Sequence, residues 1–229
     1  MMTIILKYLT ALIFVNAVLF SQTKVPFKKH LSIYTGMGIN YGITQDFNDY
    51  LIAAIPYSTS DSIKSFNAGV EFFGGVEADI SRTFSAGAEY SYYVRSLTYT
   101  FSPAVFDYTI ISHQPYVKLS YVFRENRYNF KIGGAFGYHF QQLDNRINAS
   151  VTDKYTSSGP SGRLDLTFTR RLSPNFFVYM SGFGFANFYG KLKNSNGAPL
   201  KSVNSNVEAS LAGYGMGARL GVQFYIAKF

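Results

Sequence analysis

The stretch that decides the fold is YNFKIGGAFGYHF, residues 128–140. Its even-numbered positions are aromatic or aliphatic, apart from Gly134, and its odd-numbered positions are small or polar. Successive side chains of a β-strand point to opposite faces. The stretch therefore predicts a strand with one face for lipid or a core and the other for something polar.

Seven more segments with the same kind of pattern complete the chain. They are predicted at about 31–42, 66–80, 84–96, 112–123, 161–170, 176–189 and 207–228. The seventh strand in chain order, 176–189, is apolar at both parities, so its facing stays open. The connections alternate long and short, with short turns near 81–83, 124–127 and 171–175. Eight strands with loops sorted by length are typical of a closed antiparallel up-and-down transmembrane β-barrel.

The composition narrows the class of protein. Of 229 residues, 18% are aromatic without any Trp, 15% are charged, and mean hydropathy is +0.02. That hydropathy excludes a helical membrane protein, whereas an alternating barrel averages its two faces to such a value. The chain has no Cys, which excludes disulfides and a lipid attached to cysteine.

Residues 1–22 are predicted to be a signal peptide and residues 23–229 the barrel domain. Lys7 is the one charge of the leader, the run from Tyr8 to Phe20 is apolar, and Ser21-Gln22 offers a cleavage site. An N-terminal membrane anchor is the alternative. The apolar run is shorter than the roughly 20 residues that a spanning helix requires, which favours cleavage.

A soluble barrel of the lipocalin type would place the apolar parity inside. The polar parity argues against it, because it is rich in glycines such as Gly36, Gly38 and Gly133, which weaken a water-exposed strand. Inside a narrow barrel they make room for large neighbours. The apolar parity also carries Tyr and Phe near the strand ends, as interfacial girdles require.

The inward parity is then predicted to hold a charge network of five acids and five bases. Its members are Glu71, Glu77, Asp79, Glu89, Arg95, Lys118, Lys131, Arg163, Asp165 and Arg219. Buried charges persist when they are paired. We expect a salt-bridged plug, since an eight-stranded barrel is just wide enough for side chains; a proton or ion path is the alternative.

The formal net charge is +8. Along the sequence the charges are scattered, without a basic stripe that alternates with exposed aromatics. This distribution favours anionic lipid headgroups as the counterpart and argues against nucleic acid.

The chain resembles the small eight-stranded outer-membrane β-barrel proteins of Gram-negative bacteria, and more narrowly the outer membrane protein β-barrel domain family. The resemblance covers about 23–229 and rests on the alternation, the loop pattern and the last segment, GARLGVQFYIAKF, residues 217–229. It implies the cell outer membrane as location and a C-terminal signal for the barrel-assembly machinery, carried by Phe224, Ile226 and Phe229. Because Phe229 is out of phase with Phe224 and Ile226, the sequence leaves open which aromatic residue the assembly machinery recognises.

An enzymatic function is an alternative, because some small outer-membrane barrels modify lipid A with a His and a Ser near the outer leaflet. His30 and Ser32 are predicted on the periplasmic side, and Ser112 and His113 are adjacent and so point to opposite faces. His139 is predicted to point inward near the rim. The three histidines show no metal-ligand spacing. We expect no enzyme activity, no metal and no cofactor.

The leading hypothesis is a structural and surface-interaction protein with four external loops on a rigid barrel. The best candidates for recognition are the aromatic stretch Leu97 to Tyr108 and the loop 190–206. Expected partners are outer-membrane lipid and lipopolysaccharide, the assembly machinery, and an extracellular ligand of the loops. A narrow channel or small amphiphile-binding barrel is the alternative, and a lipid-modifying enzyme is the third.

Overall fold

The computed structural model describes residues 28–54, 67–101, 104–125, 127–148, 150–202 and 207–228. Within them, eight antiparallel strands form a closed barrel in sequence order, and the first strand pairs with the last. The strands are β1 (His30–Ile43), β2 (Ala68–Asp79), β3 (Phe84–Phe101), β4 (Ala104–Arg124), β5 (Tyr128–Ile147), β6 (Ser150–Ser173), β7 (Phe176–Asn187) and β8 (Gly213–Lys228). The predicted fold class is confirmed. The predicted signal peptide lies outside the described residues.

The outer surface of the barrel is apolar. Val117 on β4, Phe136 on β5 and Leu164 on β6 are 70%, 68% and 74% exposed. Polar and charged side chains of the alternate parity are buried inside. A soluble barrel has the reverse arrangement, so the lipocalin-like alternative is wrong. An apolar exterior around a polar interior is the architecture of outer-membrane barrels, and the outer membrane is the location of this chain.

Aromatic pairs border the apolar surface at both ends of the barrel. At the short-turn end, Phe84 packs edge-on against Tyr121, and Tyr128 stacks on Phe168. At the opposite end, Tyr138 packs against Phe140. Such rings occupy the two interfaces between lipid and water. The bilayer therefore covers the strands between these rings, and the strands continue beyond it on the long-loop side.

The seventh strand, whose facing the sequence leaves open, has a defined orientation. Phe177, Tyr179 and Phe183 are buried in the interior, whereas Val178 and Met180 are exposed. Both faces are apolar because the inner face supplies aromatic rings that fill the barrel. The odd parity of β7 therefore faces inward.

Two predicted loops are strands in the structure. The aromatic stretch predicted as a loop near 97–111 belongs to a hairpin in which β3 and β4 remain paired as far as Phe101 and Ala104. The polar stretch predicted as a loop after residue 141 belongs to a second hairpin, paired as far as Ile147 and Ser150. The last strand begins at Gly213 instead of near 207. The two hairpins raise the barrel wall above the membrane on the external side.

The helix α1 (Gln45–Ala54) lies in the first external connection, between the strands predicted at 31–42 and 66–80. Thr44 precedes it, and its carbonyl oxygen accepts a hydrogen bond from the backbone N–H of Asn48 at 3.0 Å. Phe47, Tyr50 and Leu51 occupy one face and are buried. Within the described residues no helix is long and apolar enough to cross a bilayer.

The helix packs with the hairpins and the last external connection into a second hydrophobic core, here called the cap core. Its buried members are Phe47, Tyr50, Leu51, Tyr108, Ile110, Leu143, Tyr189, Leu192, Leu200, Ala209 and Leu211. Burial raises the pKa of the Tyr50 hydroxyl, with the neighbouring Tyr108 as a further cause. The external end of the barrel is thus closed by packed side chains.

The last external connection contributes five of the eleven buried residues of the cap core. Short antiparallel bridges join Lys191 to Ser210, Lys193 to Pro199 and Lys201 to Glu208. A further bridge ties Lys193 to Thr156 on β6. These hydrogen-bonded pairings hold Leu192 and Leu200 over the barrel mouth.

We expect Leu164→Arg, near the middle of the apolar belt, to lower the free energy of unfolding by about 2–4 kcal/mol. Leu172→Arg on the same strand, at the short-turn end, should cost no more than about 1 kcal/mol. Urea titration of the protein folded into vesicles measures both. Equal costs would contradict the assigned position of the membrane.

We expect Phe47→Ala to loosen the cap core without opening the barrel. Replacing a buried Phe by Ala costs about 3–5 kcal/mol in a packed core, and protease cleavage follows the population of the locally open form. Cleavage within 188–212 should accelerate, while heat-modifiable migration of the barrel on a gel persists. Ile52→Ala, on the exposed side of the same helix, is the control; equal cleavage of both variants would refute the cap core.

Candidate functional site

The structure places all ten side chains of the predicted charge network inside the barrel. Their exposed fractions run from 0% for Glu71 to 8% for Glu77 and Asp79. They come from β2, β3, β4, β5, β6 and β8. Strand parity alone positions them, because each lies on the face opposite the apolar belt.

Arg219 on β8 is the centre of the network. Its Nε donates to Glu71 Oε2 at 2.9 Å, a second nitrogen contacts Glu71 Oε1, and Nη1 donates to Glu89 Oε1 at 2.8 Å. Glu71 lies on β2, so the side chain crosses the strand that separates β8 from β2. That strand has Gly38 in register with both Arg219 and Glu71.

Gly38 explains why this crossing is possible. A Cβ at position 38 would lie 2.7 Å from Cγ of Arg219. Any side chain there would displace the arginine from its carboxylate partners. The inward glycine that the sequence singles out therefore makes room for a specific ion pair.

Glu89 on β3 accepts hydrogen bonds from three cations. Lys118 Nζ lies at 3.1 Å, Arg163 Nη2 at 2.7 Å and Arg219 Nη1 at 2.8 Å. Tyr34 adds its hydroxyl at 3.0 Å. Asp165 balances the excess positive charge, with Arg163 Nε at 3.0 Å and Lys118 Nζ at 3.9 Å. Three acids and three bases thus form one neutral cluster.

Aromatic rings fill the space around this cluster. The Arg219 guanidinium lies over the rings of Phe73 and Phe183, at 4.7 and 4.5 Å from their centroids. Arg163 lies 4.4 Å from the centroid of Tyr116. Tyr34 stacks on Tyr179 with 5.8 Å between centroids. Guanidinium groups stack favourably on such rings, so the middle of the barrel is packed with side chains.

Two ion pairs lie toward the short-turn end. Lys131 pairs with Glu77, and Arg124 pairs with Asp79. His30 also contacts Asp79, with 3.2 Å between Nδ1 and Oδ2. Arg124 and His30 are absent from the predicted network, because Arg124 falls in a predicted turn and His30 just before a predicted strand. Their signal is position at the same end of the barrel as Asp79: His30 comes directly before the Leu31–Ala78 pair, and Arg124 is the last residue of β4.

Arg95 stands apart from the ion-pair cluster. It lies near the external end, where Nη2 donates to Thr44 Oγ1 at 3.3 Å. Beside it is a small cavity of about 30 Å³, lined among others by Asn40, Gln114 and Gln141. A polar cavity of this size holds one or two water molecules. It separates the charge network from the cap core.

The candidate catalytic pairs are apart in the structure. Ser112 is buried and points inward, where its hydroxyl accepts from Gln114 Nε2 at 3.0 Å. His113 points outward, with Nδ1 2.5 Å from the Tyr90 hydroxyl. His139 is buried, with Nδ1 2.6 Å from the Tyr189 hydroxyl. In the described part of the chain, no three side chains of metal-binding type are grouped together.

The residues of the predicted assembly signal lie at the end of β8. Phe224 and Ile226 both point outward and are exposed, and Phe224 packs against Phe176 with 4.8 Å between ring centroids. Phe229 lies outside the described residues. The role of this segment in membrane insertion stays a prediction.

Sequence comparisons give no relative for this chain. No protein-family model matches it, and no curated protein matches it either.

Solved structures with an overall likeness include three outer-membrane proteins. Neisserial surface protein A is 10% identical, with a TM-score of 0.46 over 86% of this chain and 97% of that one. Ail, the attachment invasion locus protein of Yersinia pestis, is 12% identical with a TM-score of 0.47, covering 89% and 100%. The outer membrane protease OmpT from Escherichia coli is 10% identical with a TM-score of 0.43, covering 90% and 99%. At this distance none of them says what this chain binds or does.

Proposed function

We propose that this outer-membrane barrel is a sealed, non-catalytic scaffold that presents a rigid recognition surface outside the cell. The observation that carries the proposal is double closure of the lumen. The ion-pair cluster around Arg219 and Glu89 fills its middle, and the cap core closes its external end.

The side chains that fill the lumen favour a plug and argue against an ion path. Conduction requires a continuous column of water or exchangeable sites. Here each charged group of the central cluster has an opposite charge no more than 3.1 Å away, and aromatic rings lie against the guanidinium groups. Ile110 and Leu211 of the cap core line the cavity beside Arg95.

The packing of the cap core holds the external surface in a single conformation. Leu192 and Leu200 anchor the last external connection in the cap core, and Lys191 pairs with Asp46 of the helix at 3.1 Å. A surface held in this way pays little ordering entropy when it binds a partner. The proposed recognition surface is therefore the cap as a unit.

The absence of catalysis in this proposal is supported by side-chain directions. Ser112 and His113 lie on opposite faces of β4, and a nucleophile needs its base within hydrogen-bond reach. The buried His139 contacts the phenol of Tyr189, which is a structural role.

The central ion pair should behave as a coupled unit. We expect Glu71→Gln and Arg219→Gln each to cost about 3–5 kcal/mol, because Arg219→Gln leaves the buried Glu71 without its cation and Glu71→Gln leaves the buried Arg219 with Glu89 alone. The double variant should cost clearly less than the sum. Lys191→Gln, in an exposed pair, should cost no more than about 1 kcal/mol. Urea titration in vesicles measures all four, and additive costs would contradict the pairing.

We expect the folded protein to show no conductance steps in planar bilayers. Heat-modifiable migration on a gel first establishes that the sample is folded, and an open porin added to the same bilayer is the positive control. Steady conductance steps from the wild-type protein would overturn the sealed scaffold and make the channel the leading function. Hydrolysis or transfer of acyl chains from added lipopolysaccharide would instead support the enzyme.

A further inference from the structure

The exposed charges of this barrel are divided unequally between its two ends. Among the described residues, the rim on the short-turn side has one exposed acid, Glu125, and seven exposed cations. The cations are Lys28, Lys29, Arg82, Arg127, Arg170, Arg171 and Lys228. Charges that are scattered along the sequence are therefore clustered in the folded barrel, because every short turn lies at the same end.

The external end is close to neutral by comparison. Among the described residues that are exposed or half-buried, it has five acids and five bases. The acids are Asp46, Asp49, Asp107, Asp153 and Glu208, and the bases are Arg146, Lys154, Lys191, Lys193 and Lys201. The positive excess of the folded barrel thus lies at the rim that faces the periplasm.

Three of the rim cations converge on one groove. Arg127, in the turn between β4 and β5, lies beside Arg170 and Arg171 at the end of β6, and these three with Leu172, Ser173 and Pro174 line a groove of about 470 Å³. The N–H of Arg171 donates to the carbonyl oxygen of Arg127 at 2.7 Å, which joins the two turns. The Arg171 side chain holds its own turn, donating to the carbonyl oxygens of Ser173 and Pro174.

The other two arginines are available to a ligand. Arg127 and Arg170 are exposed, and within the described residues neither has a carboxylate partner. Guanidinium groups bind phosphate oxygens through two parallel hydrogen bonds, which makes arginine the preferred residue for phosphate recognition.

The position of Arg170 relative to the membrane identifies the source of the phosphate. It continues the lipid-facing row of β6 directly after Leu166 and Phe168, and it is in register with Tyr128 of β5. Tyr128 stacks on Phe168 with 6.0 Å between ring centroids. A ligand at Arg170 therefore has apolar side chains along one side and water on the other, as a lipid headgroup does at the edge of its acyl chains.

We propose that this groove binds the phosphate-bearing headgroup of an anionic glycerophospholipid from the inner leaflet of the membrane. Arg127 and Arg170 contact the phosphate oxygens, Arg171 fixes the turn that carries them, and the acyl chains lie along Tyr128 and Phe168. Leu172, which is 58% exposed at the same rim, adds apolar surface beside the headgroup. The site gives the barrel a preferred lipid and fixes its depth on the periplasmic side.

Native mass spectrometry of the full protein in micelles that contain equal amounts of phosphatidylglycerol and phosphatidylcholine tests the site. The wild-type protein should retain phosphatidylglycerol in preference, and the preference should fall about fivefold with each of Arg127→Gln and Arg170→Gln. The double variant Arg146→Gln/Lys154→Gln removes two positive charges from exposed positions of the external hairpin, as many as Arg127→Gln and Arg170→Gln remove together, and it should keep the preference. Heat-modifiable migration shows that each variant is folded.

Three results would overturn the proposal. The first is equal retention of both lipids by the wild-type protein, and the second is a preference that survives in Arg127→Gln/Arg170→Gln. The third is displacement of phosphatidylglycerol by excess inorganic phosphate, which would mean that the groove reads the phosphate group alone. Co-sedimentation with purified peptidoglycan that requires Arg127, without any lipid preference, would assign the groove to the cell wall.

Discussion

The pairing of Arg219 with Glu71 and Glu89 is the interaction on which the rest of the interior depends. A charged group this deeply buried is tolerated when its partners are placed well and its remaining donors are satisfied. Both carboxylates come from strands that are distant in sequence, and the arginine reaches Glu71 across Gly38. Strand register, the inward glycine and the balance of charges are thus parts of one requirement.

The same requirement explains why the inward-facing residues can be predicted from the sequence. Lipid on the outside forces an apolar side chain at every second position, so the alternate positions must point inward. That rule suffices to place ten charged side chains in the lumen from parity alone. It fails for β7, where Phe177, Tyr179 and Phe183 make the inner face apolar as well. There the interior needs rings to stack on the arginines, and the contrast between the faces disappears.

Outside the bilayer the rule no longer applies. After residue 141 the even-numbered positions of β5 change from apolar to polar, with Gln142, Asp144 and Arg146, so the pattern of the membrane-spanning part ends although the strand continues. The helix α1 did leave a signal, since Phe47, Tyr50 and Leu51 have helical spacing. The cap core as a whole left none, because its members meet across four connections with no shared period.

The net charge of the chain is misleading when the positions of the charged residues in the fold are unknown. A net charge of +8 taken as an average invites a search for a polyanion along the whole surface. In the folded barrel each of the five interior carboxylates is paired with a cation, and the external end is close to balance. What remains lies at the rim where every short turn meets the membrane. Since the screening length at physiological salt is about 8 Å, these cations act on headgroups at that rim and have no effect on a ligand of the cap.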